Sequence, residues 1–272
     1  MNLSVLHQNI TEQFANIRPA VDAAFLQTIK TVTKTKQAVN IKSFVKRLNI
    51  AFRLTPELSG IRVRVKADKR FGSAHEHDGR FYPALGGYCY EPEHKTKLAN
   101  IRVIVHVHPE SNRLPLSAEA WKYFHFRFLK TLSHELVHRA QFANGRKQES
   151  GFVFRPHTDI HRGQFIFFDQ SYLGDIDEVE AFARDCVEEW HYRKYQTLTT
   201  KSLRQEFGCD SKIPSIKFYA DTFRGDKEHP AVRRFLRKIG QWNRIIIPLA
   251  DTLPNAPGYV QKDPAGVHVM TA

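Results

Sequence analysis

Apolar residues over the first fifty positions recur at helical spacing. Leu3, Leu6, Ile10, Phe14 and Ile17 follow steps of three and four, Val21, Phe25 and Ile29 continue after Pro19, and Ile41, Phe44, Val45 and Leu48 repeat the pattern. This predicts a helical amino-terminal layer over residues 1–55. The period then changes to two, with Ile61, Val63 and Val65 alternating with Arg62, Arg64 and Lys66 as in a strand. Residues 71–85 mix Gly, Pro and polar side chains and read as loop. Residues 87–90 and 101–107 predict an antiparallel pair joined by the polar segment 91–100. In it Ile101, Val103, Val105 and Val107 face one way and Arg102, Ile104 and His106 the other.

The clearest helix follows. Ser117 is a suitable N-cap, Glu119 lies in the first turn where the helix dipole favours an acid, and Asn144-Gly145 closes the segment. Phe128, Leu132, Leu136 and Ala140 form its apolar stripe. A second helix is expected over 177–195, with Val179, Phe182, Ala183, Cys186 and Trp190 inward, and a third over 230–247. The tail after Pro254 reads as irregular. The expected organisation is a helical layer (1–55), a central core (56–200) and a basic helical extension with an irregular tail (201–272), an α+β chain without internal repeats.

No apolar run approaches the roughly 20 residues of a membrane span, and no basic region followed by an apolar stretch marks a secretory signal. Three scattered cysteines, Cys89, Cys186 and Cys209, form no C-x-x-C pair, which disfavours a disulfide framework or zinc ribbon and fits a reducing cytoplasm. Charge adds one expectation. Lys and Arg total 41 against 28 Asp and Glu, a net +13, which makes nucleic acid a candidate partner through phosphate neutralisation.

Chemistry concentrates in His134-Glu135-Leu136-Val137-His138. Side chains four apart share a helix face, so both imidazoles can reach one ion, and Glu135 beside them can take a proton from water. Two neutral imidazoles plus a carboxylate suit Zn²⁺ with a position left open. The favoured third ligand is Glu178, 40 residues beyond His138, which shares its helix face with Ala181 and Asp185. Glu180 points about 200° away around the helix. The competing role for Glu178 is a capping box, with Asp175 as N-cap and Glu178 at N3.

HELVH followed by Tyr172-Leu-x-x-x-x-Glu-Val-x-Ala-Phe-Ala resembles the gluzincin type of zinc metallopeptidase, and more closely the metallopeptidases encoded by bacteriophages and some bacteria. The likeness covers residues 100–190. It implies His134, His138 and Glu178 as ligands of zinc, Glu135 as general base, and hydrolysis of a protein or peptide. It also implies a zincin-like helix pair, expected here on a small antiparallel sheet flanked by amino- and carboxy-terminal helices. A phage origin would add virion or host cytoplasm as a location. Phe182 stands where some gluzincins carry an Asp that supports a ligand histidine.

A rival third ligand lies between the two motifs. His161-x-Gly-x-Phe165, with His157 nearby, is similar to the segment that gives SprT/Spartan-like proteases their third histidine, and those enzymes act on proteins crosslinked to DNA. Tyr172, His161 and His157 are the candidate donors to a developing oxyanion. Strand 101–107 is the expected edge for an extended substrate. A non-catalytic protein that works through its basic surface is the remaining alternative. His75-Glu76-His77-Asp78 reads as a solvated turn, and Arg233, Arg234, Arg237 and Lys238 as a solvated helix face.

Overall fold

The computed structural model describes residues 3–32, 38–67, 76–77, 80–81, 84–89, 101–107, 113–115, 118–143, 165–193 and 197–246. The elements in chain order are α1 (Leu3–Val32), β1 (Ala38–Asn40), α2 (Ile41–Leu54), β2 (Ile61–Ala67), β3 (Glu76–His77), β4 (Arg80–Phe81), β5 (Ala84–Cys89), β6 (Ile101–Val107), β7 (Arg113–Pro115), α3 (Ala118–Ala143), α4 (Phe165–Gly174), α5 (Ile176–Tyr192), α6 (Thr200–Glu206), α7 (Pro214–Thr222) and α8 (Pro230–Trp242). The class is α+β and mostly helical. No helix among the described residues is long and apolar enough to cross a membrane.

The chain forms two compact units. Unit 1 comprises residues 1–14, 89–99 and 132–251, and unit 2 comprises 15–88, 100–131 and 252–272. Each draws on more than one of the three segments expected from the sequence.

Unit 2 holds a three-stranded sheet in the order β2-β6-β5. The expected small antiparallel sheet is corrected here. β6 pairs with β2 in parallel, with Ile61 opposite Ile101, Val63 opposite Val103 and Val65 opposite Val105. Period-two alternation reveals which face of a strand is apolar but not its direction. Residues 68–100 separate the two strands, which is ample for the crossover of a dozen or more residues that parallel neighbours need. β6 is also the inner strand of the three, so it offers no edge for an added peptide. Antiparallel pairing occurs in the two-stranded ladders β1–β7 and β3–β4. In the second, His77 opposes Arg80 within the segment expected to be a turn.

The apolar stripe of α2 packs on β2. Ile41, Phe44, Val45, Leu48 and Phe52 are buried. They join a ring cluster in which Phe44 lies 5.1 Å from Trp121 and Phe25 lies 4.8 Å from Phe128, centroid to centroid. Asn40 caps α2 by accepting from the Ser43 amide at 3.2 Å.

Unit 1 is organised around α5. Asp175 caps its start by accepting from the Asp177 amide at 2.8 Å. The expected inward stripe is present except that Phe182 is half-buried, and the polar positions are buried too: Glu178, Glu180, Arg184, Asp185, Glu188 and Glu189 all lie inside. A helix buried all round needs a partner for each charge. Glu180 bonds His7 of α1 and Lys238 of α8, and the carbonyl of Glu180 accepts from Trp242 Nε1 at 3.1 Å. Arg184 pairs with Glu188 at 3.4 Å and lies over the rings of Phe14 and Trp242. Glu189 accepts from the Ser215 amide at the start of α7 at 2.8 Å. Tyr219 of α7 stacks on Phe235 of α8 with centroids 3.7 Å apart.

The solvated face expected on α8 is corrected in part. Arg233 and Arg237 are exposed, but Lys238 is buried against Glu180 and Arg234 donates to the Gly174 carbonyl at 3.3 Å. Four cations along one helix look alike in sequence. A buried acid on α5 and an open carbonyl at the end of α4 separate them.

Candidate metal centre

His134 and His138 lie one turn apart on α3, with ring centroids 5.0 Å apart. Glu178 reaches between them from the first turn of α5. Its Oε2 is 3.6 Å from His134 Nε2 and its Oε1 is 3.6 Å from His138 Nε2. Among the described residues these three form the group of His, Cys, Asp or Glu whose ligand atoms converge, all within 4.8 Å of one another, and all three are buried. At N3 of α5, the Glu178 side chain faces the imidazoles rather than turning back to the helix start.

The spacing carries information. Hydrogen bonds between these groups would be 2.7–3.2 Å long. Ligands around a tetrahedral ion with bonds of about 2.0–2.2 Å stand about 3.3–3.6 Å apart. The rings are also held from behind. His134 Nδ1 lies 3.2 Å from Asp185 Oδ2, and His138 Nδ1 lies 2.9 Å from Gln141 Oε1. Gln141 is itself fixed, its amide donating to the Asp177 carbonyl at 3.2 Å. With Nδ1–H donating to these oxygens, each Nε2 would direct its lone pair at an ion beside Glu178 once it has given up its own proton. Phe182 walls His134 edge-to-face at 5.0 Å.

The electrostatics favour a cation. Burial acts to lower the His134 pKa, but Asp185, Glu178 and Glu135 outweigh it and hold the imidazole well above its usual range. Burial acts to raise Glu178, and His138, His134 and the Tyr172 hydroxyl overcome it and keep the carboxyl below the usual value. Tyr172 is pushed well above its ordinary range, first by burial and then by Glu178, so it remains a phenol that can donate to that carboxylate. Glu135 is only 3% exposed. Burial lifts its pKa to about 7 against the opposing pull of His138 and His134. Oε2 of Glu135 and Oε2 of Glu178 have no hydrogen-bond partner among the described residues. Buried oxygens of this kind beside two oriented imidazoles fit a divalent ion.

The structure therefore brings together His134, Glu135, His138, Glu178 and Tyr172. Glu180 is in a separate cluster with His7 and Lys238. His157 and His161 lie outside the described residues, as do Ser117 and Asn144-Gly145. Gln141 belongs to neither sequence motif, and Asp185 enters them only as sharing the Glu178 face. Helix arithmetic marks both, because Gln141 is three residues past His138 and Asp185 is seven past Glu178. Asp185 occupies the supporting position that Phe182 cannot fill. No family model, curated protein or solved structure matches the chain.

Proposed function

We propose that the chain is a zinc-dependent metallopeptidase of the gluzincin type, built on the α3–α5 helix pair as a zincin-like core. The observation that supports this reading is the convergence of His134, His138 and Glu178, with ligand atoms within 4.8 Å of one another and both Nδ1 atoms beside oxygen acceptors. His134, His138 and Glu178 would hold the ion. A bound zinc would supply Lewis acidity, lowering the pKa of water to about 7 and polarising a carbonyl.

The chain's own groups do the rest. Asp185 and Gln141 fix the tautomers of the two rings. Glu135 takes a proton from the attacking water on its carboxylate and returns it to the leaving amine. A carboxyl buried beside the two imidazoles is placed for both directions of that transfer. Tyr172 orients Glu178 and keeps its proton for donation. Metal analysis of purified protein combined with casein hydrolysis, with and without chelator, tests the reading. About one zinc per chain and chelator-sensitive cleavage are expected, and a protein that purifies and folds fully without metal and cleaves nothing after zinc addition overturns it.

A further inference from the structure

The charge of the chain is divided unevenly. Unit 2 carries 20 Lys and Arg against 8 Asp and Glu, whereas unit 1, which holds the candidate metal centre, carries 21 against 20. Nearly all of the surplus belongs to unit 2, and part of it is gathered on a rigid frame. Neither α2 nor β2 contains an acidic residue.

On α2, Lys42, Lys46, Asn49 and Arg53 lie within about 60° of one another around the helix. Lys42, Lys46 and Arg53 are exposed. Asn49 sits in the middle of this stripe and grips the outer edge of β2. Its amide donates to the Val63 carbonyl at 2.7 Å, and its Oδ1 accepts from the Val63 amide at 2.9 Å. The side chain thereby completes the backbone bonds that an edge strand leaves open. Val63 points into the core, so its neighbours Arg62 and Arg64 turn out on the opposite sheet face, both exposed. Arg62 is braced by the Ser59 carbonyl at 2.6 Å. The Asn49–Val63 clamp thus joins a helical row of three cations to a strand row of two. Lys66 and, on β6, Arg102 extend the strand face, half-buried. The nearest acids in sequence are the exposed Glu57, in the turn between α2 and β2, and Asp68, directly after β2.

We infer that Lys42, Lys46, Arg53, Arg62 and Arg64 form a phosphate-binding surface for double-stranded nucleic acid, read without regard to sequence. Guanidinium forks and ammonium groups both suit phosphate oxygens. Phe44 and Phe52 of α2 are buried, so neither α2 nor β2 exposes a ring on which an unpaired base would stack, which argues for a duplex rather than a single strand. A lipid surface fits less well. The apolar face of α2 is used in the core, and the exposed Ile50 and Leu54 are too little to insert. The inference does not depend on the metal centre, and its readout is binding alone.

The test is fluorescence anisotropy of the full chain with a 30-bp duplex over a range of salt. Five phosphate contacts predict a slope of log K against log salt of about −4.5, hence a roughly 500-fold loss between 50 and 200 mM. K42Q/K46Q/R53Q/R62Q/R64Q, all exposed and able to fold, should abolish most of that affinity and flatten the slope. K201Q/R204Q/K212Q/R233Q/R237Q removes the same formal charge from unit 1 and should leave binding within about twofold of wild type, as a phosphate surface confined to unit 2 requires. Equal weakening by both variants reduces the effect to net charge and overturns the surface. So does an absence of duplex binding at 50 mM salt, or capture by phosphatidylserine vesicles in its place.

Discussion

Glu178 and Glu180, two positions apart on one buried helix, terminate in different charge clusters. The first lies between His134 and His138, and the second between His7 and Lys238. One helix thereby carries the candidate centre on one side and its own attachment to α1 and α8 on another. Substitutions at the two positions separate these roles.

H134A, H138A and E178A should each lose stoichiometric zinc, measured by plasma mass spectrometry after dialysis, because two remaining ligands hold the ion weakly. E180Q and H161A should retain it. A full equivalent of zinc in E178A would remove Glu178 from the site, and loss in H161A would transfer the third position to the SprT-like segment.

E135Q should keep its zinc and lose activity by roughly 10²–10⁴-fold, the usual worth of a positioned general base. The amide preserves shape but accepts no proton. Turnover near wild type on casein would exclude Glu135 as the base.

Asp185 and Gln141 touch the candidate centre through the histidines. D185N and Q141A should weaken zinc affinity by roughly 10–100-fold, read by competition with a chromogenic chelator. Because a merely structural role would lower the melting temperature without moving metal affinity, both are to be measured. An unchanged affinity in D185N would mean that His134 needs no carboxylate behind it.

Glu180 predicts a pH dependence of stability. Burial works to raise its pKa, but the bonds from His7 and Lys238 outweigh that and hold it below 4.5. Its folded pKa is depressed, so its contribution is complete above about pH 4.5 and is lost as pH falls through the lower folded value. Wild type should lose melting temperature steeply below pH 4.5, and E180Q should lose less over the same interval while starting lower at pH 7. K238M leaves the carboxylate with His7 alone and should cost about 3–5 kcal/mol at pH 7, as breaking a buried pair does. Parallel acid curves for wild type and E180Q would refute the assignment.

Much of the candidate centre is legible along the chain because it is a local property of helices. Residues four apart share a face whatever surrounds them, so His134 and His138 are paired by spacing alone, and 100° per residue separates Glu178 from Glu180. The apolar stripes of α2, α3 and α8 are readable for the same reason. What covers a helix is not encoded in its own period. Nothing in the period of α5 marks Glu180 as buried, and only the fold brings His7, 173 residues away, and Lys238 to make its burial tolerable. Strand direction is equally hidden, since alternation is identical in either sense, and the parallel pairing of β2 with β6 is one that their long connection permits. The sequence alone determined the candidate ligand residues and their helical faces. The tertiary structure decided that Asp185 rather than Phe182 stands behind His134, and that the basic surplus is gathered in one unit, because both depend on contacts between segments far apart in the chain.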